Sequence, residues 1–166
     1  MMQSPTVRSL PAQPLTSDAF RPFGQVIAAT PDGKSFDRDD AQLVLDRGTP
    51  RFYIMRLTQR GRRFSHITRH QHCTQCLGSL AGQPWLIAVA PPSPADCPSL
   101  AAITAFQVPG DCFIKLELGT WHAGPYFDQP SIDFYNLELS DTNFTDHQTC
   151  DLLTTDNTLI EIVESA

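Results

Sequence analysis

Fourteen prolines and nine glycines cut this chain into short pieces, and no stretch between them is long enough for a sizeable helix. Six of the pieces are strand-like: residues 24–29, 51–57, 85–90, 103–108, 113–118 and 132–139. They are rich in Val, Ile, Phe, Tyr and Leu, and turn-forming residues bound them. Residues 113–118 and 132–139 also alternate apolar with polar side chains, as half-buried strands do. Thr16 or Ser17 can cap one helical turn before Pro22, and the proline-rich stretch 90–102 reads as a loop followed by a helical turn. Many short strands and little helix predict an all-β sandwich or barrel. The 166 residues suit one domain over 1–166, with 1–13 as a loosely ordered N-terminal arm.

A formal charge of −6 argues against nucleic acid as a partner. Arg60, Arg62 and Arg63 form the nearest thing to a basic cluster, suited to a small carboxylate rather than a phosphate backbone. The N-terminal residues show no apolar core of a signal peptide and no run is long enough to span a bilayer, so a cytoplasmic protein without a membrane partner is expected. Five cysteines, an odd number at spacings that suggest no framework, are expected to be free thiols in a reducing compartment.

Chemistry concentrates in residues 66–78, HITRHQHCTQCLG, which carry three of the five histidines. If a strand runs through 66–76, Thr68, His70 and His72 share one face and Arg69 points the other way. His122 stands far down the chain in ELGTWHAGPYF. Two histidines on separate strands of a closed barrel can converge on one interior cavity. Cys73 and Cys76 have no second pair at zinc spacing and lie in β-type sequence, so packing is their expected role. His66 and His147 are expected to be structural. Trp121 is expected in the core or pocket wall. Asp133 either orients a histidine or sits on the surface.

The spacing resembles the cupin motifs. Thr68-x-His70, four residues, Gln75, six residues, Gly82 follows the frame of the first motif, with Thr and Gln in a His and a Glu slot. Glu117-x-Gly119-x-x-His122 follows the end of the second. More closely, LTSDAFRPFGQVI, TRHQHCTQCLGSLAGQPWLIAVAPP, ELGTWHAGPYF and IDFYNLEL resemble the ureidoglycolate lyase family, also called ureidoglycolate hydrolases. Arg69, His70, Gln75, Gly82, Trp121-His122 and Asp133-Phe134 carry the match. Thr68 stands where the family has Glu, Gly78-Ser79 where it has Ile-Pro, and Ala123 where it often has a second His.

The resemblance implies an all-β cupin-type double-stranded β-helix (a jelly-roll barrel) with short peripheral helical turns. It implies a cytoplasmic homodimer in allantoin and purine nitrogen catabolism, releasing glyoxylate and urea from a small carboxylate substrate, ureidoglycolate. The catalytic residues implied are His70, His122 and Gln75. Thr68, His72, Trp121, Asp133 and Arg69 would line the pocket. A divalent metal (nickel, manganese or zinc) would be held by His70, His122 and Gln75. Strand alternation, and not the resemblance, offers His72 as a further donor on the same face. Two alternatives follow from the altered ligand slots. One is a non-catalytic cupin that binds or senses a small molecule. The other is a metal-dependent oxygenase using His70, His72 and His122.

Overall fold

The computed structural model describes residues 4–166. Its strands, in chain order, are β1 (Thr6–Pro14), β2 (Gly24–Ala28), β3 (Pro50–Thr58), β4 (Arg63–Phe64), β5 (His66–Arg69), β6 (Gln75–Ser79) and β7 (Gly82–Ala90). They continue as β8 (Thr104–Gly110), β9 (Cys112–Leu116), β10 (Trp121–Tyr126), β11 (Ser131–Leu139), β12 (Gln148–Asp151) and β13 (Thr158–Glu164). Among the described residues, helix is confined to α1 (Ser17–Phe20), α2 (Thr142–Thr145), α3 (Leu152–Asp156) and a 3₁₀ turn at Leu100–Ala102. Thr16 caps α1, its hydroxyl accepting from Ala19 N–H. No helix among the described residues is long and apolar enough to cross a membrane.

Two sheets make the all-β, cupin-like barrel. A curled eight-stranded sheet runs β12-β5-β10-β7-β8-β1-β13-β4, and a five-stranded sheet runs β2-β9-β6-β11-β3. All six predicted strands are present. The sequence reading missed β1, β4, β12 and β13, and the expected N-terminal arm is corrected by β1. Residues 6–12 pair in parallel with β13, and 12–14 with β8. Pro11 and Pro14 hid this strand, because a proline gives nothing to a ladder. Residues 1–3 of the expected arm lie outside the described residues.

β7 shows why the sequence makes two layers of core. Trp85, Ile87 and Val89 join Phe106, Val108, Ile114 and Phe134 between the sheets. The alternate residues Leu86, Ala88 and Ala90 join Leu10, Ala105, Trp121 and Ile162 on the other face. Both faces are covered, hence the unbroken apolar run from Trp85 to Ala90.

The inter-sheet core fills only one end of the space. Along β11 the buried, inward side chains are Ile132 and Phe134, then Asn136 and Glu138. One strand face thus passes from core into a polar cavity.

Candidate active site

β5 stops at Arg69, and the chain then turns before re-entering the other sheet as β6. This break decides where the histidines go. His70 is buried, whereas His72 is exposed on the outside of the turn. Asp146 holds the turn shut: its carboxylate accepts the backbone N–H groups of Gln71 and His72, both at 2.8 Å. Its carbonyl accepts from His70 Nδ1 at 2.6 Å. A carbonyl can only accept, so Nδ1 carries the proton and Nε2 keeps its lone pair.

His122 arrives from β10. The preceding turn needs a left-handed residue, and Gly119 supplies it at φ +77. Gly119 N–H donates to the His70 carbonyl at 2.7 Å, which ties the two histidine segments together through the backbone. His122 then pairs in register with Thr68 on β5. The His70 and His122 rings lie 5.1 Å apart. His122 Nδ1 donates to the Thr120 carbonyl at 3.3 Å, so its Nε2 is also unprotonated.

A cavity of about 580 Å³ opens on this pair. Gln75 and Leu77 of β6, Asn136 and Glu138 of β11, and Tyr53, Met55 and Leu57 of β3 form the opposite wall. A closed polar ring joins four of these: Gln75 Nε2 donates to Asn136 Oδ1 (3.0 Å) and to Glu138 (3.3 Å). Asn136 Nδ2 donates to Tyr53 Oη (3.1 Å), and Tyr53 Oη donates to Glu138 (3.4 Å). Register explains it, since Asn136 faces Leu77 on one side and Tyr53 on the other. At the mouth stand the exposed Arg60, Arg63, His66 and His147. Arg63 is paired with Glu161. Arg60 lies over the Tyr126 ring at 5.1 Å and has no acidic partner among the described residues.

Burial sets the electrostatics of the pair. It pushes His122 down to about 3, helped by neighbouring His70. Burial lowers His70 too, with partial relief from the Asp146 carbonyl and the Asp146 and Glu138 charges. Both imidazoles are therefore neutral at neutral pH. An unfolded His122 takes its proton near 6.5, the native one only near 3. Stability from this residue is whole above pH 6.5 and falls as pH drops towards 3, by about 1.4 kcal/mol per pH unit in that window. Urea unfolding at a series of pH values should show a shallower acid loss in His122→Asn than in the parent.

Four predicted site residues, Thr68, His70, Gln75 and His122, line the cavity. The other four do not. His72 turns outward, 3.8 Å from Asp146, because the assumed strand is broken at residue 70; the three-histidine oxygenase loses its third ligand with it. Trp121 is wholly buried in the outer core. Arg69 is stacked 4.3 Å over that ring, donating to Gln148 Oε1 and the Ser93 carbonyl. Asp133 pairs with Arg56 through two hydrogen bonds on the outer face of the sheet. Sequence reasoning missed Glu138, Asn136, Tyr53 and Asp146; it named Arg60 only within a cluster suited to a small carboxylate, without singling it out. It also set aside His66 and His147, which line the mouth; the His147 ring is 5.6 Å from His70.

The expectation of five free thiols is corrected as well. Cys97 and Cys150 form a disulfide, joining the proline-rich loop to β12. Cys73, Cys76 and Cys112 are free, and burial raises all three thiols, Cys76 to about 12. Cys73 and Cys76 are buried, and buried thiols of raised pKa are inert packing groups.

The three residues expected to hold a nickel, manganese or zinc ion, His70, His122 and Gln75, bring two imidazoles and a neutral amide to the cavity. Such a site wants three or more protein ligands, commonly with an anionic one. No group of three His, Cys, Asp or Glu side chains among the described residues is placed to hold an ion. Thr68 brings a hydroxyl where the resemblance leads one to expect a carboxylate, and the carboxylate that does line the cavity, Glu138, stands on the opposite wall.

The ureidoglycolate lyase family model matches residues 7–160. The chain belongs to the ureidoglycolate lyase family. Membership makes it an enzyme of the lyase class. Its relatives are distant. The ureidoglycolate lyase of Pseudomonas syringae pv. tomato is 28% identical over 153 residues, covering 81% of this chain and 85% of the relative. That of Pseudomonas fluorescens strain SBW25 is 26% identical, covering 82% and 87%. That of Azotobacter vinelandii is 29% identical, covering 70% and 76%.

Proposed function

We propose that this family member cleaves ureidoglycolate to glyoxylate and urea. The observation that carries the reading is the His70–His122 pair, with both Nε2 atoms unprotonated beside a cavity whose mouth holds the unpaired Arg60. Cleavage moves one proton. The hydroxyl proton leaves as the carbonyl of glyoxylate forms, the carbon–nitrogen bond breaks, and the departing ureido nitrogen gains a proton. His70 Nε2 takes the first and delivers it to the second, so no proton need enter from solvent. His122, held neutral, accepts a hydrogen bond from the ureido N–H on the same carbon and so orients the reacting centre. Arg60 grips the carboxylate with its guanidinium fork.

Purified protein given ureidoglycolate should release glyoxylate faster than the spontaneous background, at a rate proportional to protein. A chelator, or added nickel, manganese or zinc, should leave that rate unchanged, in keeping with the donor set. A rate no different from background with and without each metal would end the proposal. Arg60→Gln should raise KM about 10- to 100-fold, the loss expected for a charge-assisted pair. An unchanged KM would remove Arg60 from the carboxylate site.

A further inference from the structure

The wall opposite the histidines holds more acceptors than the protein satisfies. Gln75 is only 7% exposed and its Oε1 has no hydrogen-bond partner. Glu138 is 2% exposed. Its carboxylate receives two long bonds from neutral donors, Tyr53 Oη and Gln75 Nε2. No Lys, Arg or His among the described residues forms an ion pair with it. The Nε2 lone pairs of His70 and His122 add two more acceptors to the same cavity. A carboxylate taken out of water ordinarily has a cation or strong donors beside it. This wall is therefore completed by a ligand that brings several N–H groups, and completed best by one that also brings positive charge. The mouth has the opposite polarity, with Arg60.

We propose that the Gln75–Glu138 wall is a head-group subsite for a planar, N–H-rich amidino group, and that the cavity takes guanidino acids in preference to ureido acids of the same length. The inference deepens the proposed function, and it rests on that reading for the place of the ligand carboxylate at Arg60. A guanidinium presents a flat pair of N–H groups that matches a carboxylate edge. A ureido group presents the same plane without the charge, and turns one carbonyl oxygen towards an acceptor-rich surface. The chemistry carries over unchanged. In the guanidino counterpart of ureidoglycolate the carbon–nitrogen bond breaks with its electron pair going to nitrogen. The hydroxyl proton ends on that nitrogen, and the products are glyoxylate and guanidinium.

Guanidinoacetate and ureidoacetate separate the two possibilities, because both lack the carbinol hydroxyl and neither can react. Calorimetric titration of the wild-type protein should show guanidinoacetate binding about tenfold more tightly, the difference between a charge-assisted and a neutral hydrogen-bonded pair. Glu138→Gln should bring that ratio close to one, and Glu138→Asp should keep guanidinoacetate ahead. Equal binding, a preference for ureidoacetate, or no binding of either by the wild-type protein would overturn the proposal, as would an undiminished preference in a folded Glu138→Gln protein. If Glu138→Gln does not fold, the wild-type ratio still decides. The glyoxylate assay fails independently: a protein that discriminates the analogues but releases no glyoxylate keeps the head-group subsite and loses the reaction.

Discussion

Replacing His70 by asparagine should lower glyoxylate release from ureidoglycolate about 10²- to 10⁴-fold, the span that a positioned proton-transfer group contributes. Asparagine suits the test because its amide N–H can take the place of Nδ1 and donate to the Asp146 carbonyl. The turn stays clamped while Nε2 is lost. The loss should fall on kcat, with KM little changed, since Arg60 still holds the carboxylate. The pH profile supplies a second check. Burial holds His70 below its ordinary 6.5, so kcat/KM in the wild type should be level at neutral pH. It should fall only on the acid side of that value. A variant within tenfold of wild type, or an acid limb that already begins above pH 7, would assign the proton transfer elsewhere.

Reducing the Cys97–Cys150 disulfide should lower the stability of the fold by several kcal/mol. It closes a loop across a sequence separation of 53. Constraining a loop of that size in the unfolded chain is worth about 4 kcal/mol on the chain-entropy account, or roughly 8–16 °C in melting temperature for a chain of this length. Thiol titration under denaturing, non-reducing conditions should find three free groups, Cys73, Cys76 and Cys112. Reduction, or Cys97→Ser, should give the lower melting temperature. Five titratable thiols in the untreated protein, or a melting curve indifferent to reductant, would remove the bond from the account. The loss should extend to the site. β12 is joined to the loop here and to β5 through its ladder, and His147 immediately precedes it.

What was readable in the sequence followed local pattern. Each of the six predicted strands carries its signal within its own few residues. The spacing of His70, Gln75 and His122 survived as well, because motif spacing encodes strand register. The failures have two physical causes. One is a broken period: extrapolating a strand past Arg69 put His72 beside His70, while Asp146, some 75 residues later, bends the chain away. The other is distance along the chain. Nothing near Cys97 announces Cys150, and Glu138 reads as the polar half of an alternating strand. It is the buried half there, because inward positions change from Phe134 to Asn136 along one face. A clue was available: IDFYNLEL places Asn136 and Glu138 in phase with Ile132 and Phe134.

That shared phase on β11 has a consequence for how errors in assembly are tolerated. A slip of one residue against β6 or β3 would turn Asn136 and Glu138 to solvent and swing Tyr135 and Leu137 inward. The same slip would expose Ile132 and Phe134. Core and chemistry are thus wagered on one pairing, and a mispaired chain forfeits the burial that would let it persist. Molecules that hold together should be uniformly competent, so titrating active sites should return close to one per folded chain, with losses appearing as unfolded or aggregated protein instead.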